Sequence, residues 1–322
     1  MNERIEYLDI CRGTAVILVV MSHSLCSRAM LFANGFFVPV FYFIAGYLSS
    51  GRISLVKKAR RLLIPYLVFS VLIAAAAVLS GMKDIGWKDV AGVLYSRYAL
   101  YPLGTEDNVV LLGLGNSPLW FLTSMFLSFL TFAVLCRSGK YAVWMALAYV
   151  AVTVVMKFLP VLLPWSLDTA FLTGLFMYSG KVVRQYGILE KGWSVPALML
   201  AAYAASLLVN GYGNLSVREY GKSVLLCLAS GISGSIVLLK LSHLIDNTFL
   251  HRPLAAIGRN SLVIFCMQIP FLQIILKVSS LAGILVPTGF VEAAVAGVQV
   301  IAAVACGYLL SRILSRFMPS VI

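Results

Sequence analysis

Charge is what this chain has least of. Only 12 of its 322 residues are Asp or Glu, three are His, and all charged residues together make up 11%, against about 25% in a soluble globular domain. That shortage excludes an ordinary soluble domain and a charge-rich disordered chain. Cysteine is also sparse. Cys11, Cys26, Cys136, Cys227, Cys266 and Cys306 are too few for a secreted disulfide scaffold, and none forms a CxxC or a Cys/His metal spacing, so neither a disulfide nor a metal is expected. No repeat of 20–50 residues is present, nor a GxSxG elbow, a Walker loop or an HExxH helix. No cleavable leader is expected: the stretch Leu8 to Phe32 is interrupted by Asp9, Arg12 and His23, and no small-residue cleavage site follows it.

Apolar residues fill the space that charge leaves. They make up 61% of the chain, and a spanning helix needs roughly 20 of them in a row. Ten apolar segments can be marked, at about 8–31, 34–50, 62–80, 118–136, 141–158, 166–182, 194–210, 223–243, 254–276 and 289–314. Their length and their Leu, Val, Ala and Phe content favour helices over barrel strands, which would alternate over about ten positions. The expectation is an all-α, polytopic membrane protein of about ten transmembrane helices, with residues 1–322 as a single domain. The net charge of +13 would point to nucleic acid in a soluble protein. Here the cations are scattered between apolar runs, so their main role is orientation in the bilayer. With the N-terminus inside, 17 Lys and Arg, Arg4 among them, collect on the inner side and 8, Lys83 among them, on the outer, which puts both termini in the cytoplasm. His243 and His251 fall in an inner loop and are expected to face water. The longest connector, about 81–117, is outer. It holds Asp84, Asp89, Glu106 and Asp107 with Trp87, Tyr95, Tyr98 and Tyr101, and loops of this length are often functional or partly folded.

The first span carries unusual polarity. Ionisable groups inside a span usually face a cavity or each other. Arg12 and His23 are eleven residues apart, about three turns plus 20°, so they share one face roughly 16 Å apart along the axis. Asp9 lies three residues before Arg12 and can pair with it. A neutral His can take a proton from a hydroxyl near pH 7, and Arg suits phosphate. Equally, Asp9–Arg12 can anchor the helix at the interface while His23 bonds a neighbouring helix. A second cluster, Lys57, Lys58, Arg60 and Arg61, reads as an inner-face anchor, as a site for a nucleotide's phosphates, or as a lipid-headgroup site. Trp120 opens a span from the outer side after Asn116-Ser117-Pro118-Leu119. Asn260, Ser261 and Gln268 put three polar side chains in another span, suited to inter-helix bonds or a cavity lining.

Taken in order, these stretches resemble the acyltransferase-3 family of bacterial integral-membrane acyltransferases. Arg4-Ile5-Glu6-Tyr7-Leu8-Asp9-Ile10-Cys11-Arg12-Gly13 followed by His23 is similar to the family's opening signature, with Arg and His at its Arg-x10-His spacing. Phe43-Ile44-Ala45-Gly46-Tyr47-Leu48, the basic run from Lys57 to Pro65, Trp120-Phe121-Leu122 and Asn260-Ser261-Leu262 are similar to its later motifs. The Ser117 to Leu122 run resembles the branch of fucose 4-O-acetylases and related sugar acetyltransferases. The resemblance implies a multi-pass protein of the bacterial cytoplasmic membrane that moves an acyl group, usually acetyl from cytosolic acetyl-CoA as co-substrate, to a hydroxyl of an envelope carbohydrate or glycolipid.

Carried over residue by residue, His23 would be the catalytic histidine, with Arg12 orienting the donor and Asp9 steadying Arg12. Lys57, Lys58, Arg60 and Arg61 would lie near the CoA phosphates, and the pantetheine arm would thread from them toward His23. Trp120, Asn260, Ser261 and Gln268 would face the acceptor. The family's last motif often ends in His where this chain has Gln268, which cannot accept a proton at neutral pH. The bilayer and the acceptor are the expected partners, and nucleic acid is not. The alternative from a different class is a transporter or flippase for an envelope glycolipid or anion. Such folds show paired, Gly/Pro-broken helices in matching halves, and no such pairing is seen.

Overall fold

The computed structural model describes residues 5–25, 27–79, 85–102, 104–106, 108–113, 116–246, 248–281 and 290–318. Arg4, Cys26, Lys83, Asp84 and Asp107 lie outside the described residues. Helices account for nearly all of the regular structure. They are α1 (Glu6–Ser22), α2 (Pro39–Tyr47), α3 (Leu55–Leu79), α4 (Trp87–Tyr95), α5 (Trp120–Arg137), α6 (Ala142–Met156), α7 (Ala170–Gln185), α8 (Ser194–Asn210), α9 (Val224–Ile245), α10 (His251–Arg259), α11 (Ser261–Leu281) and α12 (Phe290–Phe317). Among the described residues the only β pairing is two isolated bridges, Ala99–Val110 and Asn214–Glu219. Among the described residues, six helical stretches are long and apolar enough to cross a membrane: Leu55–Leu79, Ser117–Arg137, Gly139–Met156, Val224–Ile245, Ser261–Val278 and Ala294–Phe317. The chain is a multi-pass, all-helical membrane protein. Bulky side chains such as Leu79, Trp144, Val155 and Leu208 stand exposed on its helices, as they must where the solvent is lipid.

Three of the expected spans differ from the expectation; one of them, 254–276, is split at Asn260 into α10 and α11. The segment 34–50 yields only the nine residues of α2, opened by Pro39, too short to cross a bilayer by itself. The first segment does not run to residue 31. α1 ends at Ser22 and a 3-10 helix occupies Ser27–Phe32. The cause is local competition for carbonyls. Ser22 Oγ donates to the Val19 carbonyl at 2.7 Å and Ser24 Oγ to that of Met21 at 2.8 Å. The amides of His23 and Ser24 bond three residues back instead of four. Side-chain hydroxyls thus replace the next turn of the helix.

The chain packs as two compact units, Met1–Ala33 with Leu241–Ile322, and Asn34–Lys240. In the first, α1 and α10 lie backbone to backbone, because Gly13 and Gly258 face each other across the contact. A Cβ at Gly258 would overlap the Asp9 carbonyl, and one at Gly13 that of Leu254. This is the small-residue approach that membrane helices use in place of hydrophobic collapse. In the second unit α2 meets α7 in the same way, through Gly46 against Met177 and Gly180 against Phe43. A core of Leu135, Tyr149 and Leu175 joins α5, α6 and α7.

Candidate functional site

The first unit holds Asp9, Arg12, His23, Asn260, Ser261 and Gln268; the second holds Lys57, Lys58, Arg60, Arg61 and Trp120. In α1 the expected pair is formed: Arg12 Nη1 donates to Asp9 Oδ1 at 3.1 Å, with Asp9 2% exposed and Arg12 half-buried. Asp9 sits on the turn whose backbone contacts Gly258, so the ion pair is set beside the tightest helix contact of the unit. His23 is not deep in a continuing helix. It is the C-terminal cap of α1 and is exposed. Its ring turns back along the helix, with Nδ1 2.8 Å from the Val19 carbonyl oxygen. A carbonyl can only accept, so Nδ1 carries the proton and Nε2 carries the lone pair. In the neutral ring this hydrogen bond therefore fixes the tautomer and leaves Nε2 with its lone pair free to accept a proton.

Of the other two histidines, His243 is exposed as the sequence suggests, though on α9 rather than in a loop, whereas His251 is half-buried and paired. His251 opens α10 with Nε2 2.6 Å from Glu6 Oε2 and Nδ1 3.7 Å from Asp246 Oδ1. The His243 ring lies 5.1 Å from that of Tyr7. The residues after α9 fold back as a helix rather than a loop, and this brings them to the start of α1. Glu6, Asp246 and His251 offer one ligand atom each within 4.8 Å of one another. The Glu6–His251 hydrogen bond accounts for that approach without an ion.

Asn260 is committed to the protein. Its Nδ2 donates to the Ala256 carbonyl at 2.7 Å, and its Oδ1 accepts from Ser311 Oγ at 2.7 Å. It fills the one-residue break between α10 and α11 and ties that break to α12. Ser261 begins α11 next to it and is half-buried. Gln268 is 1% exposed. Its Nε2 donates to Phe265 O at 3.1 Å, while its Oε1 has no hydrogen-bond partner.

In the second unit the basic run forms the first two turns of α3. At 100° per residue Lys57, Arg60 and Arg61 fall within about 100° of one another, and all three are exposed. Lys58 turns inward, its Nζ 4.1 Å from the centre of the Phe129 ring. The cluster is thus three free cations on one face and a fourth held by a cation–π contact. Sequence reading missed a neighbour. Lys181 of α7 brings its Nζ beside Gly51, next to the sulfur of Cys136 at 3.5 Å, and Arg184 caps α2 at the Tyr47 carbonyl, 3.0 Å away. Both residues had registered only as orientation charges. Trp120 begins α5 and is 7% exposed. It joins an aromatic cluster in which Phe121 meets Phe41 and Tyr42 edge-on.

A second group also lay outside the sequence reading. Asp168, fully buried, accepts from Arg97 Nη2 at 2.8 and 3.0 Å, from Arg218 Nη1 at 3.2 Å and from the Leu163 amide at 3.2 Å. Arg97 also reaches Ser166 Oγ at 2.6 Å, and Arg218 reaches the carbonyls of Val161 and Leu159. Trp165 and Ser166 both adopt positive φ, 55° and 62°, conformations that cost non-glycine residues about 1–3 kcal/mol each unless their surroundings enforce them. The clasp enforces them, with Trp165 Nε1 bonded to Leu94 O at 2.8 Å. It joins three connectors, and the long one is partly folded as expected, through α4 and the Ala99–Val110 bridge.

A family model described as an acyltransferase domain matches residues 5–312. No curated protein matches the chain at a significant level. With nearly the whole length covered, the chain belongs to the acyltransferase-3 family of integral-membrane acyltransferases.

Proposed function

From that membership, we propose that the protein is an O-acyltransferase of the bacterial cytoplasmic membrane. It moves an acyl group, acetyl by preference, from a cytosolic acyl-CoA to a hydroxyl of an envelope carbohydrate or glycolipid. The observation that carries the reading is the fixed tautomer of His23: a proton on Nδ1 held by Val19, a lone pair on Nε2, and an accessible position at the end of α1. In the reaction Nε2 takes the proton of the acceptor hydroxyl as its oxygen attacks the thioester carbonyl. The C–S bond breaks, and the imidazolium returns the proton to the departing CoA thiolate. Arg12, held by Asp9, supplies a permanent positive charge for the donor. Lys57, Arg60 and Arg61 take the donor's phosphates, and the length of α3 beyond them is apolar, so the charged end of the donor stays at the inner edge. Trp120, Ser261 and Gln268 are assigned to the acceptor; Asn260 supports them from its bonds to Ala256 and Ser311.

The test is acyl-CoA turnover by the purified protein in nanodiscs, read as CoA-thiol release with and without sugar acceptors. His23→Gln is expected to lower transfer by about 10²–10⁴-fold, the usual worth of a general base, with an unchanged melting temperature. A folded His23→Gln protein with full turnover would remove His23 from the mechanism. Solute uptake by wild type without any turnover would favour a transporter.

A further inference from the structure

Gln299 is the most anomalous side chain in the described part of the molecule. It lies in α12, is 2% exposed, and neither its Oε1 nor its Nε2 has a hydrogen-bond partner. An amide buried this way costs several kcal/mol in apolar surroundings. Gln268 of α11 has one unpaired oxygen in the same unit.

The register of the two helices brings these groups together. Asn260 bonds Ser311, and four residues on, Gly307 faces Ile264, with a Cβ there 3.0 Å from the Ile264 Cα. The pair is antiparallel, and each contact steps by four residues along one ridge. Continuing those ridges sets Gln268 opposite Ala303, and Leu272 opposite Gln299. The two amides therefore line one seam about a single turn, roughly 6 Å, apart. Pro270 lies inside α11 at this level. Having no N–H, it frees the carbonyl of Cys266, whose residue is fully buried. Membrane helices tolerate such a break where something else satisfies the freed group. Among the described residues of α11 and α12, no buried one is charged, which suits neutral hydroxyls rather than a phosphate or a carboxylate.

The register of α1 and α10, extended through the Asn260 break, also sets the seam toward the C-terminal end of α1. Glu6 meets His251 and Gly13 meets Gly258 at the same residue offset, so α1 and α10 run side by side in one direction. α11 follows after the single residue Asn260 and packs on α1. The same offset carried through that break brings Gln268 within about one turn of the level of His23.

We infer that Gln299 and Gln268, with the Cys266 carbonyl, form the recognition site for the hydroxyls of a neutral carbohydrate acceptor. This rests on the acyltransferase reading and names the groups that hold its acceptor. Gln299 gives a donor and an acceptor, and Gln268 an acceptor. Together they can bond two neighbouring hydroxyls of a sugar ring, in a setting where each unmade bond is expensive.

The experiment separates the inference from the reading it rests on. Melting temperatures are measured without any acyl donor, for wild type, Gln299→Leu and Gln268→Leu, across p-nitrophenyl glycosides of fucose, glucose and N-acetylglucosamine. Without glycoside Gln299→Leu is expected to melt at or above wild type, since an unpaired amide has been replaced by an apolar side chain of similar size. With glycoside, wild type is expected to shift upward, and Gln299→Leu to shift less or to need at least tenfold more ligand. Equal shifts in the two proteins, or no shift in wild type with any glycoside, would overturn the site. In turnover, Gln299→Leu is expected to raise the acceptor KM about tenfold or more and to leave the acyl-CoA KM unchanged. An unchanged acceptor KM in an active enzyme counts against the site. Absent acyl-CoA turnover in wild type counts only against the acyltransferase reading, since the melting shifts need no donor.

Discussion

Replacing Asp168 by Asn removes one negative charge from a place where two guanidinium groups converge on it. Both Arg97 and Arg218 keep their charge, and both are buried, 0% and 3% exposed. Breaking a buried ion pair by removing one partner costs about 3–5 kcal/mol, because the other charge is left uncompensated. Here two are left, and the neutral amide keeps the shape but turns a donor toward one of them, so the upper end applies. For a unit of this size 1 kcal/mol shifts the melting temperature by about 2–4 °C, which gives a fall of about 10–20 °C. The chain carries its own probe. Cys11, Cys227 and Cys266 are buried free thiols, and Cys306 is exposed. A maleimide dye that fluoresces on thiol attachment then reports unfolding as the buried three come into reach, over the baseline set by Cys306, the half-buried Cys136 and Cys26. Asp168→Asn should melt at least about 10 °C below wild type, the lowest figure of that range. The triple change Arg97→Met, Asp168→Leu, Arg218→Met, which leaves no charge unpaired, should recover part of the loss. A single Asp168→Asn melting within 2 °C of wild type would refute the reasoning, since it would mean that the clasp carries no net energy.

Other perturbations test separate parts of the structure. Gly258→Leu should destabilise the first unit by more than 1–3 kcal/mol, the usual cost of overpacking, because its Cβ alone meets the Asp9 carbonyl; a wild-type melting curve would show that α1 and α10 can separate freely. Changing Lys57, Arg60 and Arg61 together to Gln should raise the acyl-CoA KM at least tenfold, leave the acceptor KM unaltered and flatten the salt dependence of the donor KM. Lys58→Gln should act differently, lowering stability by about 0.5–2 kcal/mol through its lost contact with Phe129 with a smaller effect on the donor; equal donor effects from all four cations would argue against the division of the cluster.

Much of the architecture was legible because lipid leaves a chain few choices. A run of some twenty apolar residues must satisfy its own backbone, so helix positions follow from composition alone. Segment 194–210 coincides with α8, and 223–243 and 289–314 lie within a few residues of α9 and α12. The failures fall where polar side chains compete with the backbone. Ser22, His23 and Ser24 read as guests in a long helix, yet their own bonds to Val19 and Met21 end it. The Asp9–Arg12 pair was readable because it is local, three residues apart on one helix.

Contacts distant in sequence were not readable. Nothing along the chain says that Asp168 will meet Arg97 and Arg218, that Lys58 alone among its neighbours will turn toward Phe129, or that Gln299 will fall on the same seam as Gln268. Periodicity gives each helix a buried face but does not name the helix it will face. The sequence by itself determined a helical, multi-pass membrane protein with a polar first span, a basic run and the family's motifs in order, because local propensity, lipid solvation and motif spacing act within one segment. The tertiary structure decided which charges are neutralised, which nitrogen of His23 holds the proton and which amides are left unpaired. Those outcomes depend on the approach of helices far apart in the chain and on side-chain hydrogen bonds that only a folded backbone can aim.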